Sequence, residues 1–148
     1  MDIRCFPAKT EDIEVIYTLC KKHIEQYESD PVPMDPVLAW CRRKIETKIG
    51  EYEAVFVDGK KAGFVHLSQL PDGNLELDDL YLFADFRGKG VGTALIRRAV
   101  SQAKVQRKQL LLYVFRANEG ALRLYQREGF VIKAKAGNSR YVMEHHCG

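Results

Sequence analysis

The sequence lacks any apolar run approaching membrane-spanning length, and its opening residues, Met1-Asp2-Ile3-Arg4-Cys5-Phe6-Pro7, lack the apolar core of a secretory signal. Both absences favour a cytoplasmic protein with no membrane partner. The four cysteines (Cys5, Cys20, Cys41 and Cys147) form no CxxC pair and no zinc spacing. They are expected as reduced thiols, and Cys20 and Cys41 fall on apolar helical stripes where cysteine serves as a small core residue. A large excess of one charge is also missing. The 23 basic and 20 acidic residues leave a formal +3, which argues against a nucleic-acid binder with its strongly basic face. The chain carries no internal repeat and no low-complexity tract. The triplet His145-His146-Cys147 places adjacent residues on a frayed end, poor geometry for a ligand set, so no metal is expected.

What is present is ordinary globular composition: 148 residues, 46% hydrophobic and 29% charged. That fits a single domain over residues 1–148 with a sizeable core. Ile3 to Phe6 reads as a strand. Thr10 is the expected N-cap of a helix with Glu11 and Asp12 in its first turn; Ile13, Ile16, Tyr17, Cys20, Ile24 and Tyr27 form its buried stripe. Ser29 to Pro36 holds three of the five prolines and reads as a loop. A second helix runs from about Asp35 to Ile49, with Leu38, Cys41, Ile45 and Ile49 inward and Gly50 as its stop.

The period then changes to that of strands. Tyr52 to Val57 and Ala62 to Leu70 flank the hairpin signal Asp58-Gly59. Leu75 to Phe83 follows the turn Pro71-Asp72-Gly73-Asn74. A helix starts in the glycine run near Gly90 and extends to about Gln106. Gln109 to Phe115 is an apolar strand, expected to be buried on both faces, central and parallel to a neighbour. Asn118 caps a helix ending at Gly129, and Phe130 to Lys135 and Arg140 to His145 close the chain as strands. The order β-α-α-β-β-β-α-β-α-β-β defines an α/β fold with a mixed sheet.

The strand before the glycine run contains a phase slip. Leu75 and Leu77 are apolar at odd positions, Leu80 and Leu82 at even ones. One residue of slip inverts every side chain, so a β-bulge near Asp78–Leu80 would restore the face. It would also free backbone groups for a ligand. The alternative is a strand buried on both faces, which needs no bulge.

Between that strand and an amphipathic helix lies Arg87-Gly88-Lys89-Gly90-Val91-Gly92-Thr93. Glycines allow close backbone approach, and free N–H groups at a helix start favour an anion; Arg87 and Lys89 add positive charge. No glycine-lysine-serine/threonine of a P-loop is present. A dinucleotide fingerprint also fails, because Thr93 or Leu95 stands where its last glycine belongs. The plain alternative is a sharp connection with basic decoration.

Arg87-x-x-Gly90-x-Gly92 resembles the coenzyme motif of the GNAT N-acetyltransferase superfamily, and Asn118-x-x-Ala121-x-x-x-Tyr125-x-x-x-Gly129-Phe130 resembles its second coenzyme motif. Together with the element order, the resemblance covers nearly the whole chain; the N-terminal third matches in element order alone. It implies the acyl-coenzyme A N-acyltransferase fold with a bulged strand, and acetyl-coenzyme A as co-substrate with no metal. The implied coenzyme contacts are Leu80, Tyr81, Leu82, Arg87, Gly88, Lys89, Gly90, Val91, Gly92, Thr93 and Asn118. Homodimers are common in that family, although no self-complementary patch is located in the sequence.

Acetyl transfer to an amine requires a neutral amine, yet one of pKa about 10.4 is only about 0.04% neutral at pH 7. It also needs donors for the carbonyl oxygen and a proton for the leaving thiolate. The resemblance assigns Tyr125 as acid or thiolate stabiliser, beside the reading of Tyr125 as a core residue. For the base, Asp79 and Asp78 are favoured over Glu76 because they sit at the expected bulge; a solvated strand face is the alternative. His66 is a further candidate, although a lone strand histidine is more often structural.

In the resembling family the first two helices and their loop line the acceptor pocket. Here four acids, Glu25, Glu28, Asp30 and Asp35, would attract a cationic amine, with Tyr27, Glu28 and Trp40 as candidate substrate contacts. The expected function is acetylation of a primary amine on a small cationic molecule, by direct attack in a ternary complex. The alternatives are a protein or peptide N-acetyltransferase and a non-catalytic acetyl-coenzyme A sensor.

Overall fold

The computed structural model describes residues 1–145, so His146 and Cys147 of the terminal triplet lie outside the described residues. The strands are β1 (Ile3–Pro7), β2 (Tyr52–Val57), β3 (Lys60–Gln69), β4 (Leu75–Leu82), β5 (Leu110–Phe115), β6 (Val131–Ala136) and β7 (Arg140–His145). The helices are α1 (Ile13–Tyr27), α2 (Met34–Lys48), α3 (Val91–Gln106) and α4 (Glu119–Arg127). The element order is the one read from the sequence. The strands form one mixed seven-stranded sheet, β1-β2-β3-β4-β5-β7-β6. Among the described residues only β4 and β5 pair in parallel. No helix among the described residues is long and apolar enough to cross a membrane.

The sheet separates two cores. Leu95, Ile96, Ala99 and Ala103 of α3 pack with Leu75, Leu77, Leu110 and Leu112, and α4 adds Leu122, Leu124 and Tyr125. Against the other face, Ile16, Cys20 and Ile24 of α1 and Leu38, Cys41 and Ile45 of α2 pack on Tyr52, Ala54 and Phe64. The two helical stripes are thus buried as their spacing predicts, with both cysteines in the core. Asp58 and Gly59 both take positive φ, 49° and 82°, as a two-residue hairpin of this twist requires.

Local boundaries differ from expectation for identifiable reasons. Thr10 does not cap α1. Instead Thr10–Asp12 forms a short 3-10 turn, because the Asp12 carboxylate accepts the Lys9 amide at 2.8 Å and is ion-paired with Lys61. The loop between the first helices ends at Pro33, and Pro36 sits in the first turn of α2, where its missing N–H breaks no helical bond. Gly50 lies within a second 3-10 turn, Ile49–Glu51.

Two features of the central strands position the site. Opposite β4, His66 pairs with Asp79 and Leu67 with Leu77, leaving Asp78 as an extra residue. This is the bulge inferred from the phase slip. Beside it, β5 is not buried on both faces: Leu110, Leu112 and Val114 are buried, whereas Tyr113 is 45% exposed. The reason is that β4 and β5 are registered only at Leu75–Leu110 and Glu76–Leu111. Beyond Glu76 they part, and one face of β5 lines an opening rather than a core.

Candidate active site

The bulge decides which side chains meet the opening. Before it, Leu75 and Leu77 enter the α3 core and Glu76 faces the other way; after it, Leu80 and Leu82 pack on the α3 core while Tyr81 packs with α1 and α2. The extra residue therefore brings Glu76, Asp78, Asp79 and Tyr81 to one cavity of about 550 Å³. Its remaining wall comes from α1, α2, β3, β5, α4 and Arg140 of β7.

At its base lies a buried polar network. The Lys44 ammonium donates to Asp78 Oδ2 at 2.7 Å and Asp79 Oδ2 at 3.0 Å. Tyr81 donates to Asp79 Oδ1 at 3.0 Å, and the Tyr52 hydroxyl also bonds Asp79. His66 Nδ1 lies 2.8 Å from Asp78 Oδ2, and its ring stacks on Tyr52 at 4.3 Å. Burial opposes the charged forms of Lys44 and His66, but the two aspartates outweigh it and raise both. Burial would also raise Asp78, yet the His66 hydrogen bond and Lys44 hold its carboxyl down to about 2. Burial raises Asp79. The ligand atoms of His66, Asp78 and Asp79 lie within 4.8 Å of one another, but Lys44 already supplies the cation between the carboxylates.

Glu76 differs from both aspartates. Burial first, then the charge of Asp78 and a hydrogen bond with it, push its carboxyl up to about 7. The two aspartates favoured from sequence are thus committed to Lys44, His66 and the tyrosines, whereas Glu76 is poised to exchange a proton near neutral pH.

Across the opening, Tyr125 lines the cavity, with its ring edge-on to Phe130 at 5.8 Å. Burial raises its hydroxyl to about 12. Asn118 accepts the Ala121 amide at 3.3 Å as the cap of α4 and also lines the cavity.

The glycine loop has the geometry of an anion cradle. Gly88 and Gly90 take φ of 70° and 84°, and the space their missing side chains would fill is open. The first helical bond of α3 runs from the Ala94 amide to the Gly90 carbonyl. The amides of Val91, Gly92 and Thr93 therefore precede the helical ladder and suit a phosphate. Arg87 braces the loop by donating to the Leu82 carbonyl at 3.0 Å. Lys89 is exposed. Residues Leu80, Tyr81 and Leu82 pair with β3 on one side only, so the separation from β5, more than the bulge, leaves their other edge open.

On the acceptor side Trp40 lines the cavity and is 58% exposed. Tyr27 and Glu28 do not line it, nor do Glu25, Asp30 or Asp35. The face of α1 at the cavity is Cys20, His23 and Ile24; Tyr27 lies one turn beyond, edge-on to His23 at 5.0 Å. The acidic loop is therefore no lining. Sequence reading missed His23, Lys44, Tyr52, Tyr113 and Arg140. The signal for Lys44 was a lysine interrupting the inward Leu38-Cys41-Ile45 stripe.

The acetyltransferase (GNAT) family profile matches residues 11–130. An uncharacterized N-acetyltransferase of Methanocaldococcus jannaschii is 37% identical over 81 residues, which is 50% of this chain and 36% of that protein. The chain thus spans little more than a third of that relative's length. Among solved structures, the PaiA N-acetyltransferase of Thermoplasma acidophilum, in complex with coenzyme A, superposes with a TM-score of 0.75 at 22% identity over 99% of each chain. The ribosomal-protein-S18-alanine N-acetyltransferase of Escherichia coli superposes at 0.66 with 20% identity, over 97% of this chain and 93% of that one. At such identities the likeness is one of fold.

Proposed function

Because the chain belongs to the acetyltransferase (GNAT) family, we propose that it transfers the acetyl group of acetyl-coenzyme A to the primary amine of a small molecule by direct attack. The carrying observation is the placement of Glu76, raised to about 7, and Tyr125, raised to about 12, on the walls of one cavity. The one is a base and the other an acid at neutral pH. The coenzyme complex of the Thermoplasma acidophilum neighbour supports the choice of donor.

Acetyl-coenzyme A supplies the activated thioester. The amides of Val91, Gly92 and Thr93, with Gly88 and Gly90 leaving room, hold its pyrophosphate, and Arg87 and Lys89 add positive charge. The open edge of Leu80–Leu82 aligns its arm and offers N–H groups to the carbonyl oxygen as charge grows there. Glu76 takes the proton of the acceptor ammonium, directly or through water, so that a neutral amine attacks. As the new N–C bond forms and the C–S bond breaks, Tyr125 gives the sulfur a proton, and the second proton shed by the nitrogen as it becomes an amide returns through water to Tyr125. Asp78, Asp79 and Lys44 shape the site; burial and the aspartates keep Glu76 protonatable against the opposing charge of Lys44.

The test is calorimetric binding of acetyl-coenzyme A followed by coenzyme A release with a panel of amines, amino acids and peptides. Binding with turnover of a small amine is expected. No binding by folded protein overturns the donor assignment. Binding with no turnover of any member favours a coenzyme sensor, and turnover of peptides alone overturns the small-molecule reading.

A further inference from the structure

Resting on that reading, we infer that the acceptor carries a carboxylate several bonds from its amine, and that Arg140 binds this carboxylate. The cavity is lined by three acids, Glu76, Asp78 and Asp79, and by three permanent cations, Lys44, Lys48 and Arg140. Their pairing is uneven. Lys44 is held between Asp78 and Asp79, so these acids offer little to an incoming polycation. Lys48 lies 3.4 Å from Glu51. Arg140 has no carboxylate partner among the described residues. Its guanidinium rests over the Tyr113 ring, 5.1 Å from the centroid, which fixes its position through ring attraction and leaves its donors unspent. Among the charged side chains at the cavity, Glu76 and Arg140 are thus the two not held in an ion pair, one suited to an ammonium and one to an anion.

The strand register gives their separation. Glu76 stands opposite Leu111 on the neighbouring strand, about 5 Å across, and Tyr113, under the guanidinium, is about 7 Å further along β5, so the two backbone positions lie about 8 Å apart. A free α-amino acid is too short to touch both. A dibasic or ω-amino acid spans them, with its terminal amine at Glu76 and its carboxylate at the guanidinium. Trp40, 58% exposed on the cavity wall, offers an aromatic face for the methylene chain between them. A diamine of the same length would place its second ammonium against an unneutralised guanidinium, which penalises it. The product is an amino acid acetylated at its side-chain or terminal amine.

The experiment compares two pairs that differ only by the carboxylate: lysine with cadaverine, and ornithine with putrescine. Coenzyme A release should favour each amino acid by about tenfold or more in kcat/KM, the size of a charge-assisted hydrogen bond lost. Arg140→Ala should raise KM for the preferred amino acid about tenfold with kcat little changed and should raise diamine turnover by removing the repulsion, and Arg140→Lys should recover part of the loss. Equal or better turnover of the diamines by the unaltered protein overturns the inference while leaving acetyl transfer intact. So does an Arg140→Ala variant that depresses both members of a pair equally. Failure to acetylate any amine or peptide, with coenzyme bound, overturns the acetyl-transfer reading itself.

Discussion

Asp78 and Asp79 are adjacent in sequence, yet both carboxylates reach the same ammonium, Lys44 Nζ, at 2.7 and 3.0 Å. In a regular strand they would point to opposite faces. The extra residue in β4 turns them to one side, and α2 supplies the cation between them.

Removing that cation leaves the buried Asp79 without a counter-charge and Asp78 dependent on His66. Lys44→Met should destabilise the fold by about 3 kcal/mol, read as a lower denaturation midpoint. In the unaltered protein the Asp78 contribution is fully present above the unfolded carboxyl pKa of about 3.9. It is lost as pH falls through about 2, the folded value. An acid titration of Lys44→Met should therefore show a smaller loss of stability over that window.

Glu76 should govern the acidic limb of the rate. Its carboxyl, raised to about 7, is the proton acceptor only when ionised. kcat/KM should therefore rise with pH up to about 7 and level above it. Glu76→Gln should lower kcat about a hundredfold and flatten that limb. A limb unchanged in Glu76→Gln assigns it to another group.

Tyr125→Phe removes a hydroxyl that burial keeps protonated up to about 12. Turnover should fall at least about tenfold while calorimetric acetyl-coenzyme A affinity stays within about twofold. A change in affinity equal to the change in rate would make the residue a binding contact instead.

Gly63 tests the frame beneath the site. A Cβ there would lie 1.9 Å from the Tyr81 carbonyl oxygen, across the β3–β4 pairing of Gly63 with Leu82. Gly63→Ala should cost about 2 kcal/mol or more by forcing backbone apart, measured by denaturant unfolding. Gly90→Ala places a side chain at φ 84° in open space. It should cost about 1 kcal/mol in stability and weaken acetyl-coenzyme A binding.

The sequence carried the frame of the site better than its contents. The bulge was readable because alternation changes parity between Leu77 and Leu80, and the anion cradle because Gly88 and Gly90 stand between a strand and a helix. Strand β5 misled because Leu-Leu-Leu-Tyr-Val-Phe is apolar throughout, and hydrophobicity does not tell a core face from a cavity wall. The acids of residues 25–35 misled because composition does not say where the end of α1 lies relative to the opening. Lys44 between Asp78 and Asp79, and Arg140 over Tyr113, join residues more than twenty positions apart, and no local pattern announces such pairs. The order of the carboxylates was likewise invisible, since it follows from which of them Lys44 neutralises.

The bulge at Asp78 acts on β4 as a shift of reading frame acts on a message: everything downstream is reassigned to the opposite side. Deleting Asp78 would close the bulge and leave a regular strand, with Leu77 followed directly by Asp79 in the register they already hold. Asp79 and Tyr81 would stay on the side of the opening and Leu80 and Leu82 on the α3 core, so Lys44 would lose one of its two carboxylates and keep the other. A single-residue insertion after the bulge has no such slack to take up: it would invert the side chains beyond it and should be far less tolerated than substitutions of the same residues.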